Sequence, residues 1–347
     1  MPDASTGRYS RQIRYAPIGD AGQRRLRDSH VAIVGCGALG SAQAELLARA
    51  GVGHLTLIDR DEVEPSNLQR QALYTEADAA AHRPKSVAAR EHLLQINSTI
   101  EIDAVVDDLL PENIAARLRA PGLILDGADN FETRYLINDF ALARGLSWIY
   151  GAVAGAYGIS FTIRAGQTAC LQCLLGPAPP EAGETCDQTG VLAWAARWVA
   201  AQQVSEAVKL LLGADAALRP TVITADLWHN LSRELAPPPR RPDCPACQGH
   251  YVWLQGESHS QARALCGRNA VQIRAPGRTL DLAWLHRQLA ACGRLQATPY
   301  LLKFWPRAQN AAPETIEFSI FPDGRAIIHG TSDPVLARRL YTQYLGM

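Results

Sequence analysis

Five short apolar runs punctuate the first half of the chain: HVAIVG from His30, HLTLID from His54, IEIDAVV from Ile100, LILDGAD from Leu123 and SWIYGAV from Ser147. Between them lie longer stretches whose apolar residues recur at helical spacing. Short β-branched runs alternating with helical patterns predict βαβ units, and so an α/β, Rossmann-like, mainly parallel sheet with helices on both faces. The polar stretch before the first run, RYSRQIRYAPIGDAGQRRLRDS, reads as a helical arm over residues 1–29. Beyond residue 250 the pattern changes to NAVQI, DLAWLHRQLAACG, TPYLLKFWP, TIEFSIF, AIIHGT and PVLARRLYTQYLG. These predict strand, helix, strand, hairpin and terminal helix, with Asp323-Gly324 at the hairpin turn and a small α+β domain as the result. The expected domains are therefore 1–29, 30–250 and 251–347.

The first run leads into GCGALGS, where Gly35, Gly37 and Gly40 have the spacing of a phosphate-binding turn. Glycines let the backbone approach an anion, and the start of the next helix offers N–H donors and the positive end of its dipole. A dinucleotide would use Asp59, at the end of the second run, on a ribose hydroxyl. Behind Asp59, however, come Asp61, Glu64, Asn67, Arg70 and Lys85, a dense set of both signs. Two basic side chains with carboxylates suit a triphosphate and a divalent cation better than a pyrophosphate. Ligands of parallel sheets bind beyond the carboxyl ends of the strands. The glycine turn, Asp59, Asp129 after LILDGA and Gly151 to Gly155 after SWIY all fall there. Each also has a plainer reading, as a helix cap, a turn former or a surface charge.

The strings GCGALGS, DRDEVEPSNLQRQ, RPKS around Lys85 and DGADNFETR around Asp129, in this order from Arg8 to about Gly249, resemble the E1-like adenylating enzymes of the ThiF, MoeB and HesA family. The tail resembles the extension on a subset of ThiF-type members. The resemblance implies an enzyme that adenylates the C-terminal glycine of a ubiquitin-like sulfur carrier with ATP. On the ThiF side this belongs to the thiazole branch of thiamine synthesis, and on the MoeB side to molybdopterin synthesis. It implies that Lys85 and Arg70 stabilise the phosphates, that Asn67 helps hold them and that Asp59 takes the ribose. Asp129 would bind Mg2+, and Asp61 and Asn130 share the site. Arg11 would reach the nucleotide of the other subunit in a homodimer. The sulfur donor, a cysteine desulfurase or rhodanese, would be a separate protein.

Cysteine placement adds a metal. Cys170-Leu171-Gln172-Cys173 and Cys244-Pro245-Ala246-Cys247 are two C-x-x-C knuckles, which read as a structural tetrahedral zinc site clasping a distal segment onto the domain, a redox dithiol being the alternative for either pair alone. The proline-rich APPPRRPDCP marks a linker into the second knuckle. Cys186, just before a helical pattern, is open to two readings. A thiol near a helix start can be a nucleophile, and in ThiF-like relatives a cysteine at this place forms a sulfur linkage with the carrier. MoeB-like relatives do not need it for adenylation. Cys36, Cys266 and Cys292 read as small buried residues.

Composition narrows the classes. The chain of 347 residues carries 34 basic and 34 acidic side chains, which argues against a nucleic-acid groove or an anionic membrane surface. No apolar run is long enough to span a bilayer, and the polar MPDASTGRYSRQIRY lacks the core of a secretion signal. The cytoplasm is the expected compartment. An NAD-dependent oxidoreductase would leave Arg70, Lys85 and the cysteine knuckles unexplained. A non-catalytic scaffold for a ubiquitin-like partner would not require Lys85 or Asp129.

Overall fold

The computed structural model describes residues 7–177, 190–256, 262–265, 269–274, 279–307 and 316–346. Cys186 and Cys266 lie outside them. The chain divides into two compact units, residues 1–258 and 259–347.

The first unit is built on an eight-stranded sheet ordered β3-β2-β1-β4-β5-β6-β7-β8. Its strands are β1 (His30–Val34), β2 (His54–Ile58), β3 (Glu101–Val105), β4 (Leu123–Asp126), β5 (Ser147–Ala154), β6 (Tyr157–Arg164), β7 (Val222–Asp226) and β8 (Leu231–Leu235). Strands β1 to β5 pair in parallel, with Val31 opposite both Leu55 and Leu123. The expected parallel core is present. Strands β6 to β8 extend it in antiparallel fashion, an extension that the apolar runs do not mark. Strand β5 also runs further than SWIY, so Gly151 lies inside it. The Cβ of any other residue at 151 would stand 2.5 Å from the Gln203 side chain.

Short helices α1 (Ser10–Ile13) and α2 (Gly19–Arg27) form the arm. Helices α3 (Ala38–Ala50) and α4 (Lys85–Ile96) follow β1 and β2, and α5 (Phe131–Arg144) follows β4. Helix α6 (Leu171–Leu175) starts at the first cysteine knuckle, and α7 (Ala193–Leu212) packs on α3, β5 and β6. Two apolar cores result, one on each face of the sheet. Leu26, Leu47, Leu55, Ala88 and Leu93 belong to one, and Ile124, Leu136, Phe140, Trp148 and Phe161 to the other. Burial of Leu26 ties the arm to the first unit, which gives an otherwise polar segment its reason to fold.

The second unit is an antiparallel sheet ordered β11-β12-β13-β14-β10-β9. It comprises β9 (Ala262–Leu265), β10 (Ala270–Ile273), β11 (Gly293–Ala297), β12 (Leu302–Pro306), β13 (Glu317–Ile320) and β14 (Ala326–His329). Helices α8 (Leu282–Leu289) and α9 (Pro334–Leu345) share its apolar core with Phe304, Phe318 and Ile328. Strand β11 is too polar to stand out as a run. Gly324 takes the positive φ of the β13–β14 turn, as Asp323-Gly324 suggests. Cys292, expected to be buried, is exposed where the chain turns from α8 into β11.

Candidate active site

The glycine turn is fixed by contact as much as by backbone freedom. Gly35 has φ +88°, and a Cβ there would enter the carbonyl of Gly127. A Cβ at Gly40 would overlap the carbonyl of Gly35. The loops after β1 and β4 thus lie backbone against backbone, which makes Gly127 a third required glycine. Gly37 differs, since the nearest neighbour to a Cβ there is Gln71 Nε2 at 3.8 Å. It is the N-cap of α3, and no side chain caps that helix start. Its first-turn N–H groups and dipole therefore suit an anionic ligand.

Asp59, at the end of β2, braces this turn. Its Oδ2 accepts from Cys36 N at 2.6 Å and its Oδ1 from Asp61 N at 2.7 Å. Burial, and then the Asp61 carboxylate, push Asp59 above the ordinary carboxylate range against the pull of Lys85 and the two amides. Asp61 and Lys85 are joined twice, because Lys85 N donates to Asp61 O at 2.9 Å and Lys85 Nζ meets Asp61 Oδ2 at 3.1 Å. Lys85 is only 2% exposed, and the Asp61 carboxylate is an opposite charge set beside it. Tyr74 Oη donates to Cys36 O and Lys85 O, linking the glycine turn to the start of α4.

Arg60, which the motifs did not single out, is the second cation of this cluster. Its Nη1 donates to Asp108 Oδ2 at 3.1 Å and its Nε lies 3.7 Å from Asp61 Oδ1. Burial opposes its charge, yet the carboxylates of Asp108, Asp61 and Asp129 raise its pKa. The structure therefore places Asp61 between Arg60, Lys85 and Asp59, with Asp129 in electrostatic reach of Arg60. Basic residues flanked by apolar or acidic neighbours in sequence give no spacing signal, which is why Arg60 was missed.

Asn67 and Arg70 sit on the turn that follows. Asn67, buried, accepts from Glu64 N, and Arg70 Nη1 donates to Ser66 O at 2.8 Å with its side chain half-exposed. Both hold the turn together. Gln71, 4% exposed, lies against Gly37 and was not singled out by sequence. Asp129 is exposed, and Asn130 Nδ2 donates to its Oδ1 at 3.0 Å while Asn130 Oδ1 caps α5 through Thr133 N. Arg11 is not brought to this cluster within the chain. Its helix is anchored by Gln12 to Ala50 O, by Tyr9 to Asn97 and by Arg8 to Ile96 O. Ala50 precedes β2 and Asn97 precedes β3, so these anchors lie at the amino ends of the strands, opposite the glycine turn.

The two knuckles meet. Sγ atoms lie 3.7 Å apart for Cys170 and Cys173, and 3.6 Å apart for Cys170 and Cys244 and for Cys173 and Cys247. A tetrahedron of sulfurs about 2.3 Å from a metal has edges of about 3.8 Å, so the spacing fits a four-thiolate ion. Burial pushes the Cys244 thiol up to about 11 and Cys170 higher still. The burial penalty on Cys173 is outweighed by the Arg241 amide and neighbouring thiols, and its pKa is lowered. Four mostly buried thiols could hold a metal ion. Asp139 of α5 joins the first knuckle to the segment that follows the second, accepting from Gln172 Nε2 at 3.0 Å and from Trp253 N at 3.0 Å.

Relatives fit this arrangement. The family model described as "ThiF family" matches residues 9–246. The "Sulfur carrier protein ThiS adenylyltransferase" of Bacillus subtilis (strain 168) is 43% identical over 345 residues, covering 98% of this chain and 100% of that protein. The "Sulfur carrier protein adenylyltransferase" of Thermus thermophilus is 35% identical, over 69% of this chain and 90% of its own length. Among solved structures, E. coli MccB with ATP superposes with a TM-score of 0.60 at 21% identity, covering 70% of this chain and 74% of that one, a likeness of fold. With the family model spanning most of the first unit and one relative aligning along its whole length, the chain belongs to the ThiF family.

Proposed function

We propose that this protein adenylates the C-terminal glycine of a ThiS-like sulfur carrier, in the thiazole branch of thiamine synthesis. The observation that carries this reading is the 43% identity to a ThiS adenylyltransferase along all of that relative's length, the second unit included. In the reaction the glycine carboxylate attacks the α-phosphorus of ATP. A carboxyl–phosphorus anhydride forms as the bond to pyrophosphate breaks, and pyrophosphate carries the electron pair away.

The chain's own groups suit that step. The Gly35–Gly40 turn and the start of α3 would offer N–H groups to the phosphates, and Asp59 would take a ribose hydroxyl. Lys85 and Arg70 would supply charge for the developing negative phosphate oxygens, and Asn67 would help hold the phosphates. Asp129 and Asp61 offer the hard oxygen donors that Mg2+ takes, with Asn130 orienting Asp129. Bound there, Mg2+ would neutralise charge on the departing pyrophosphate. Arg11 would act in the site of a second subunit, which its anchoring at the far end of the sheet favours. Zinc in the four-cysteine site fits the sulfur spacing and would have a structural role, as all four positions are thiolates.

Turnover beyond the adenylate would need a separate sulfur donor, a cysteine desulfurase or rhodanese, with Cys186 as the candidate for a linkage to the carrier. The cytoplasm is the proposed place of action, since the reaction consumes ATP. Among the described residues no helix is long and apolar enough to cross a membrane. A second reading, a MoaD-like carrier in molybdopterin synthesis, draws on relatives named MOCS3 that are about one third identical. This chain spans only 54–55% of their length in three of them. ATP–pyrophosphate exchange with purified carriers separates the two. Exchange with the ThiS-like carrier and not the MoaD-like one is expected. The reverse preference would move the protein to the second pathway, and exchange with neither would remove the sulfur-carrier assignment.

A further inference from the structure

Asp126 ends β4 with its side chain 0% exposed, a costly place for a carboxylate. Its Oδ1 accepts from Ala128 N at 2.9 Å, and its Oδ2 from Arg134 Nε at 3.1 Å and Gly151 N at 3.3 Å. Arg134, on the first turns of α5 and 6% exposed, sends Nη2 back to Ala128 O at 2.7 Å and to Gly151 O at 3.2 Å. Its guanidinium also lies over the rings of Phe131 and Tyr150, at 5.3 and 5.5 Å. Burial raises the Asp126 pKa, and Arg134 and the two amides oppose it. The backbone carbonyl of Asp126 is held from the opposite face by Gln43 and Gln203, each at 2.9 Å.

Between these anchors runs the loop Gly127–Asn130, which carries Asp129. Both the amide and the carbonyl of Ala128, the residue before Asp129, are committed to the buried pair. Gly127 itself is pressed against Gly35 and Gly40. The loop therefore has no freedom to rise or rotate without breaking a buried ion pair, and Asp126 is too deep to touch a ligand itself.

We infer that Asp126 and Arg134 are positioning residues, a buried pair that sets the height and direction of the Asp129 carboxylate for the divalent cation of Mg-ATP. The inference rests on the adenylation reading of Asp129. Arginine suits this place because its planar fork meets the carboxylate and two carbonyls from two nitrogens in fixed directions, whereas a lysine ammonium would have to serve all three from a single nitrogen. Outer groups that orient a metal-binding carboxylate are worth about 10–100-fold in metal affinity.

The test is calorimetric ATP binding to the full chain with and without Mg2+, which reads the gain in ATP affinity that Mg2+ provides independently of turnover. In Arg134→Lys that gain is expected to fall by about tenfold or more, with metal-free ATP affinity unchanged. The neutral exchange Asp126→Asn with Arg134→Gln is expected to do the same and serves if Arg134→Lys does not fold. Amide hydrogen exchange on the wild type adds a measurement free of mutation: Ala128 and Gly151 amides should be as protected as those of the central strands. A wild-type Mg2+ gain in folded variants, or fast exchange at both amides, overturns the inference. Asp129→Ala separates the two levels. If it loses the Mg2+ gain while the pair variants keep it, only the positioning role fails; if it keeps the gain, the Asp129 assignment fails and the inference with it.

Discussion

The loop after β2 and the loop after β4 are built to one plan. In each, the aspartate that ends the strand accepts from the amide two residues on and from an amide of the neighbouring loop or strand: Asp61 N and Cys36 N for Asp59, Ala128 N and Gly151 N for Asp126. In each, a second aspartate follows and a buried cation balances the charge, Lys85 in one case and Arg134 in the other. The difference is depth. Lys85 pairs with Asp61, the outer aspartate, whereas Arg134 pairs with Asp126, the inner one. In the proposed reading the β2 loop would keep its cation next to the groups that meet a ligand, and the β4 loop would use its cation to hold a backbone still. Similar sequence patterns, D-x-D and D-x-x-D, would then carry charge for chemistry in one place and geometry in the other.

Removing the cations should show this contrast most strongly. Lys85→Met is expected to reduce ATP–pyrophosphate exchange by about a thousandfold or more, on the scale of lost electrostatic stabilisation of a transition state. Arg134→Lys should leave measurable exchange at saturating Mg2+. Equal losses in both would erase the distinction between the loops. Next in size is the cysteine cluster, which bears on the β4 loop through Asp139 on the same helix as Arg134. Purified protein should contain about one zinc per chain, and Cys173→Ser should lower stability to heat by several kcal/mol. Unchanged melting after chelation would contradict a structural metal.

A smaller effect is expected where the two loops touch. Gly127→Ala or Gly40→Ala forces a Cβ into the Gly35 carbonyl. Either should cost about 3 kcal/mol in denaturant unfolding, as overpacking does. The last effect concerns pH. Burial pushes Asp139 up to about 6, although Trp253 N and Gln172 hydrogen-bond it. An acid whose folded pKa lies above its unfolded value favours the fold while protonated, so the contribution of Asp139 to stability should be fully present below about pH 4. That contribution should fall by roughly 3 kcal/mol as pH rises from there through about 6. Asp139→Asn should flatten that slope, which unfolding curves at several pH values would show.

Much of this was legible in the chain. The parallel core, the glycine turn and the paired cysteines announce themselves because each rests on a local period or spacing: all-apolar strands, G-x-G-x-x-G, C-x-x-C. The second unit was legible as strands and helices for the same reason, save the polar β11. The antiparallel strands β6 to β8 were not, since Leu231–Leu235 is exposed along its length and shows no one-sided burial. Nor were Arg60, Gln71, Gly127 and the Asp126–Arg134 pair. Their roles come from contacts between segments that no sequence period links. One signal was available: LILD ends a fully buried strand with a carboxylate, and a charge in that position demands a cation.

The most direct test of the central claim is acid-quenched mass spectrometry of a ThiS-like carrier after mixing with this protein and Mg-ATP. The account predicts an AMP adduct on the carrier's C-terminal glycine with the wild type and none with Lys85→Met. An unmodified carrier in the presence of wild-type protein that has bound ATP, or equal adduct with both proteins, would contradict it.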